Sequence, residues 1–442
     1  MIPLFLSGTP GFSQRLSEIL GRGEALEARF HEEVSSILSG VRQSGDQAVI
    51  EYTKRFDGID LKETGLSFSA RELKEAVESL PASLKEALEV AAERIFQFHL
   101  RQREESWFHT EGDGSILGQR VIPLQRVGIY VPGGRASYPS SVLMNALPAK
   151  AAGVKEVVMC TPTPKGFVNQ AVLAAAAIAG VDKVFRIGGA QAVAAMAYGT
   201  ESVPRVDKIV GPGNVFVALA KKAVFGTVGI DMVAGPSEIL VLADDSANPA
   251  LLAADLLSQA EHDPLASSIL LTTCEETAHA VVKEVEEQLR NLPEAQRQVA
   301  EEAIRGFGAV LVVKNTEEMV KIANNIAPEH LEIVVRNPWE LMTQIKNAGA
   351  VFIGEYSTEP IGDYIARPNH VLPTGGSARF SSPLNTGDFV KRSSLIEVRE
   401  GLFKDLAPHA MTLANEERLF AHKRAIEIRL FPNPSFEEGE RG

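Results

Sequence analysis

A chain of 442 residues with a net charge of -13 has room for two or three domains with full cores, and its acidity argues against nucleic acid or an anionic membrane as a partner. Two cysteines, Cys160 and Cys274, exclude a disulfide scaffold and a cysteine-rich zinc module and favour a reducing compartment. The apolar start lacks a basic n-region, and the longest apolar run, 171–181, is too short to span a bilayer, so a cytoplasmic location is expected.

Residues 1 to 25 read as a small N-terminal arm. From Glu32, apolar residues recur at Val34, Ile37, Leu38 and Val41, which is helical spacing. Gly45-Asp46 interrupts it, and a second helix carries Ala48, Val49, Tyr52 and Phe56. Further helices are predicted over 71–80 and 83–103. His31, His99 and His109 sit in charged helical or loop contexts and read as surface or packing residues. From Val121 the character changes. Strands are predicted over 127–131, 156–160, 183–187 and 208–210, alternating with helices over 141–152, 170–179 and 190–197 and one after 214. Such alternation means βαβ units and a parallel sheet, whose ligands lie beyond the carboxyl ends of the strands. Three Gly-rich turns fall at such ends: Pro132-Gly133-Gly134, Gly188-Gly189 and Gly211-Pro212-Gly213-Asn214. Tyr130, Gln191 and Asn214 sit beside them. The dinucleotide fingerprint of three spaced glycines opening a helix is absent. The pattern alone therefore leaves two readings, a nucleotide-sized ligand or glycines that merely turn the chain.

A second α/β stretch begins at Ile230, with a loop over 231–238. Strands are predicted over 239–243, 269–272, 309–313, 332–335 and 350–353, and helices over 277–289 and 316–326. After Gly354 the chain is irregular and rich in Pro, Gly and Ser, and the tail is predicted helical from 407 to 430.

Asn248 is a good N-cap and Pro249 a good first helical residue, so a helix is predicted to run to Asp263 and stop before Pro264. Gln259 and His262 are then an i, i+3 pair whose amide oxygen and imidazole converge. A metal needs more ligands. Asp363 and His370 lie in the irregular stretch, and Glu417 and His422 lie five residues apart on the predicted tail helix, about 140° round its axis. Gln259, His262, Asp363 and His422 would give N/O coordination suited to zinc, though scattered histidines are also commonly unrelated. Glu329 and His330 place an acid and an imidazole side by side before a strand, suited to general acid–base work or else a strand-edge pair. Cys274 follows a strand and precedes a helix; it reads as structural before it reads as a nucleophile.

Eight segments in order resemble the histidinol dehydrogenase family, over roughly Val41 to Arg429. They are 128–134, 187–192, 208–214, 230–238, Gln259-Ala260-Glu261-His262-Asp263, Ala327-Pro328-Glu329-His330-Leu331, 362–374 and Ala378-Arg379-Phe380-Ser381-Ser382. Val233 and Arg367 depart from the family's pattern. The resemblance implies an α/β fold of two incomplete Rossmann-like, aldehyde-dehydrogenase-like parallel-sheet domains. It implies an arm at 1–25, a first α/β domain at 26–127 plus 237–380, an NAD-binding domain at 128–236, and a helical dimerisation tail at 381–442. It further implies a zinc-dependent, four-electron oxidation of L-histidinol through L-histidinaldehyde to L-histidine with two NAD reduced. One zinc per subunit would be held by Gln259, His262, Asp363 and His422. His330 would be the base and Glu329 would activate water. Ser237, His370 and Glu417, with the metal ligands and His330, would contact the substrate, and Tyr130, Gln191 and Asn214 the NAD. The family is a homodimer in which each tail completes the partner's site. The residues also admit a relative acting on another small alcohol, a zinc hydrolase using Glu329 and His330 on a metal-bound water, and a non-enzymatic nucleotide-binding module.

Overall fold

The computed structural model describes residues 2–21, 24–133, 138–233, 235–366 and 368–431, with backbone alone for 24–29. Gly134 and Arg367, named above, and Ala234 of the 230–238 segment lie outside the described residues. The chain forms two compact units, one of residues 1–103 and 123–389, the other of 104–122 and 390–442.

Two parallel sheets organise the larger unit. The five-stranded sheet runs in the order Lys183–Phe185, Glu156–Cys160, Arg126–Tyr130, Lys208–Val210, Gly229–Ile230. Its central strands are buried on both faces, as Val127, Ile129, Val157, Val158 and Met159 are fully enclosed. Continuous apolar runs of this kind are what a helix-covered parallel sheet requires. The helix Glu24–Asp57, kinked at Gly45 (φ 52°) as the sequence break suggested, lays Val34, Ile37, Val41 and Val49 on this sheet's core beside Val193, Ala194 and Ala197.

The six-stranded sheet runs Leu4–Leu6, Ala309–Val312, Ser267–Thr272, Glu238–Ala243, His330–Val334, Ala350–Ile353, all parallel. The N-terminal arm is thus an edge strand followed by the helix Pro10–Leu20. Leu240, Val241 and Leu242 are fully buried at the sheet's centre. Gly349 sits where the chain enters the last strand, and a Cβ there would lie 2.5 Å from the Glu329 carbonyl oxygen. Gly349→Ala is expected to destabilise the protein by about 1–3 kcal/mol, read as a lowered urea midpoint, because a backbone atom cannot step aside.

The smaller unit holds a three-stranded sheet of Val390–Glu397, Ile116–Pro123 and Trp107–Thr110 and two helices, Glu400–Glu416 and Phe420–Leu430. The single tail helix expected from sequence is therefore broken. Arg418 takes a left-handed conformation (φ 59°) between the helices. No helix among the described residues is long and apolar enough to cross a membrane.

Candidate active site

The acid and imidazole of Glu329-His330 lie at the amino end of their strand, not at a carboxyl end. The helix Thr316–Ile326 ends at Ala327, whose left-handed conformation (φ 51°) turns the chain sharply into Pro328, Glu329 and the strand His330–Val334. Both side chains are buried, Glu329 at 7 % and His330 at 3 % exposure. The neighbouring strand fixes them. Glu238 donates its backbone N–H to Glu329 Oε2 (2.8 Å), and the Glu329 N–H returns a bond to Glu238 Oε2 (3.2 Å). His330 Nδ1 donates to the Glu238 carbonyl oxygen (2.9 Å). That bond sets the tautomer and leaves Nε2 buried with no hydrogen-bond partner among the described residues.

Asp363 comes from the short helix Glu359–Tyr364 and places Oδ1 3.6 Å from His330 Nε2. His370 Nδ1 donates to the Asp363 carbonyl oxygen (3.0 Å), and its Nε2 lies 3.3 Å from Ser141 Oγ. Ser141 belongs to the helix Pro139–Ala152 that follows the Arg126–Tyr130 strand, so His370 ties the irregular loop to the five-stranded sheet's layer. Asn369 holds the loop too, donating to the Met144 carbonyl oxygen (2.6 Å). His99 is a packing residue, fully buried and paired with Gln102.

The electrostatics follow from burial against charge. Burial pushes Glu329 up, to about 7, against the opposing pull of His330. Burial alone would push His330 down, but the charges of Glu329 and Asp363 outweigh it and hold it at about 10. Burial would raise Asp363 as well, yet the nearby imidazoles of His330 and His370 hold it below the ordinary carboxylate range. Burial lowers both His262 and His370, which favours neutral imidazoles. The charges of Asp363, His330 and His370 all act on His262.

The helix expected to reach Asp263 ends at Ala260, so His262 lies beyond its cap; its N–H still bonds the Gln259 carbonyl oxygen (3.3 Å). Gln259 is buried at 1 % exposure, and its Oε1 has no partner among the described residues. Two carboxylates that sequence reasoning missed complete the neighbourhood. Glu238 accepts the Gly375 N–H (2.8 Å) besides its bond to Glu329. Glu359, 1 % exposed, accepts from Ser258 Oγ (3.2 Å) and pairs with Asp363. Glu238 stood inside a quoted motif; nothing in the pattern marks Glu359. Donor atoms of His330, Glu359 and Asp363 all lie within 4.8 Å of one another, a group able to hold a metal ion.

The Gly-rich turns gather at the carboxyl edge of the five-stranded sheet. Tyr130 is buried, and its hydroxyl accepts the Gly189 N–H (3.1 Å) at the start of the helix Gly189–Tyr198. Burial pushes this phenol far up. Gln191, in the first turn of that helix, is 1 % exposed, and its Oε1 has no partner among the described residues. Asn214 caps the helix Val215–Val224, its Oδ1 accepting from Phe216 and Val217 N–H, which leaves its amide donors free of that task. Gly211 (φ 112°) passes Tyr130 so closely that a Cβ would meet its carbonyl oxygen at 2.2 Å. The buried Lys221–Asp231 pair pins this turn, Lys221 donating to the Gly211 carbonyl oxygen (2.9 Å) and Asp231 accepting the Gly211 N–H (2.8 Å). Ser237 is half-buried just before the Glu238 strand. Glu417 and His422 are exposed in the smaller unit, on either side of the Arg418 turn, Glu417 capping the helix Glu400–Glu416 and His422 lying in Phe420–Leu430.

The sequence profile of the histidinol dehydrogenase family matches residues 20–430. The chain belongs to the histidinol dehydrogenase family. It is 53 % identical over 417 residues to the histidinol dehydrogenase of Aquifex aeolicus, covering 94 % of this chain and 96 % of that one. To that of Syntrophotalea carbinolica it is 55 % identical over 420 residues, 95 % and 97 % of the two chains. The crystal structure of histidinol dehydrogenase from Elizabethkingia anophelis superimposes with a TM-score of 0.90 at 35 % identity, over 97 % of this chain and 98 % of that one. As a histidinol dehydrogenase, the chain is an NAD-dependent enzyme of the final step of histidine biosynthesis. The family implies zinc as well as NAD, and the donor types here are ones zinc accepts: Gln259 has a buried amide oxygen without a partner among the described residues, burial shifts His262 towards its neutral form, and Asp363 is held below the ordinary carboxylate range.

Proposed function

We propose that the chain converts L-histidinol to L-histidine through L-histidinaldehyde, passing two hydrides in turn to two NAD. The observation that carries the reading is the buried Glu329–His330 pair beside Asp363 and His370, with one base atom, His330 Nε2, left unpartnered. In the first step His330 Nε2 takes the hydroxyl proton as hydride leaves the carbinol carbon for the nicotinamide. Glu329 then takes a proton from the water that adds to the aldehyde. In the second step His330 takes a proton from the hydrate as the second hydride leaves, giving the carboxylate. One histidinol, one water and two NAD thus give histidine, two NADH and three protons.

Gln259, His262, Asp363 and the partner subunit's His422 would hold the zinc. Zinc, when bound, supplies a template that orients the amine and imidazole of the substrate. With Asp363 engaged in that way, His330 loses one of the charges that keep it protonated and moves towards the range of a working base. Ser237, His370 and Glu417 would position the substrate, and Tyr130, Gln191 and Asn214 the dinucleotide. In this reading NAD occupies the 128–236 sheet, the acid/base and metal residues belong to 26–127 plus 237–380, and residues 1–25 are an arm. The tail, 381–442, packs on a second subunit in a homodimer. Exposed apolar side chains on the smaller unit, among them Phe108, Ile396, Leu413 and Phe420, support a covered surface there. Free cysteines fit a cytoplasmic enzyme.

The shared site is tested by mixing two inactive variants. His422→Ala and His330→Asn are each expected to be inactive alone. Mixed under exchange, half the dimers are mixed and each regains one intact site, about a quarter of full activity. A mixture that stays inactive although mixed dimers form would place His422 in its own subunit's site.

A further inference from the structure

Asp57 ends the helix that crosses the five-stranded sheet, and its environment asks for a ligand. The second half of that helix runs antiparallel to Gly189–Tyr198. At its start Asp46 accepts from Thr200 Oγ1 (2.5 Å), just beyond the far end of Gly189–Tyr198. Eleven residues on, about 16 Å at the helical rise, the helix stops at Asp57, where Gly58 turns away in a left-handed conformation (φ 69°). Asp57 therefore stands at the carboxyl edge of the sheet, by the first turn of Gly189–Tyr198. The following chain confirms that edge: Phe68 N–H donates to the Val184 carbonyl oxygen (2.9 Å), and Arg186 N–H to that of Leu66 (2.8 Å).

Among the described residues, several buried polar atoms without a hydrogen-bond partner fall on these segments. They include Asp57 Oδ2, Thr53 Oγ1 one helical turn earlier, and Gln191 Oε1. Gln191 is 1 % exposed. Native proteins rarely leave such atoms idle. Burial raises Asp57 above the ordinary carboxylate range, and its charge acts on the Tyr130 phenol, whose hydroxyl already receives the Gly189 N–H. All of these unpartnered atoms are acceptors, or hydroxyls able to accept, so the missing group must donate. A carboxylate at the negative end of a helix repels phosphate but suits a vicinal diol.

We infer that Asp57 is a further cofactor-binding residue, its carboxylate accepting hydrogen bonds from ribose hydroxyls of the dinucleotide and rejecting a 2′-phosphate at that place. The inference rests on the reading that NAD lies on the five-stranded sheet.

The test is steady-state kinetics of the full-length enzyme with Asp57→Ala, Asp57→Asn and Gln191→Ala, using NAD and NADP. The expected result is a KM for NAD raised about tenfold or more in both Asp57 variants, with the change falling on KM rather than kcat and the KM for histidinol unmoved. Asp57→Asn should also narrow the preference for NAD over NADP by about tenfold. An unchanged KM for NAD and an unchanged preference would overturn the inference. So would a rise in both KM values together with a lowered urea midpoint, which would mark Asp57 as structural. If Gln191→Ala raises the KM for NAD and the Asp57 variants do not, the inference fails while the cofactor site stands. If none of the three does, both fall.

Discussion

Replacing His330 with Asn is expected to lower kcat for histidinol oxidation by about 10²–10⁴-fold, with the zinc content of the purified protein unchanged. His330 Nδ1 is committed to the Glu238 carbonyl oxygen, so in the proposed reaction the proton-accepting atom is Nε2, which is buried and has no partner among the described residues. Asn keeps a polar side chain at the head of the strand but offers no base there. Lost activity with retained metal separates this role from that of a ligand. Retained kcat would mean that another group takes the hydroxyl proton. Zinc lost along with activity would assign His330 to the metal, an outcome consistent with the proximity of His330, Glu359 and Asp363.

Glu329→Gln is expected to divide the reaction in two. The first hydride transfer continues, the hydration step slows by about 10²–10³-fold, and aldehyde accumulates where a carbonyl trap such as semicarbazide can capture it. NADH formed per histidinol consumed then falls towards one. The pH dependence carries the same information. Burial holds Glu329 near 7, so its carboxylate form, the one that accepts a proton from water, is present above that pH and lost below it. The rate of aldehyde oxidation should fall on the acid side of a limb near 7, and the limb should vanish in Glu329→Gln. Two NADH per histidinol from this variant, with no trapped aldehyde, would remove Glu329 from the hydration step.

Much of this was legible before the structure because both parallel sheets are buried on both faces. Strands such as Arg126–Tyr130 and Glu238–Ala243 are continuous apolar runs, and their Gly-rich ends announce turns. The hairpin Trp107–Thr110 and Ile116–Pro123 and the strand Val390–Glu397 escaped notice because they are largely exposed and lack the alternation that marks a half-buried strand. The break at Arg418 was invisible too, since no glycine signals the left-handed turn there. At the site, Glu329, His330, Asp363 and His370 were each identifiable in sequence, and the fold brings them together. Glu359 was not identifiable. Its burial depends on Glu332, whose side chain receives the Glu359 N–H (2.8 Å) from a strand far away in sequence, and no local pattern records such a meeting. The Gly-rich turns fall at the carboxyl ends of the five-stranded sheet, whereas Glu329 and His330 occupy the opposite end of the other sheet's strands because Ala327 turns the chain directly into them.

The most direct measurement is the number of NADH formed per L-histidinol consumed, before chelation, after it, and after zinc is restored. The account predicts two NADH per histidinol, no turnover in the chelated protein, and recovery on adding zinc. One NADH per histidinol with release of the aldehyde, or two from the metal-free protein, would contradict it.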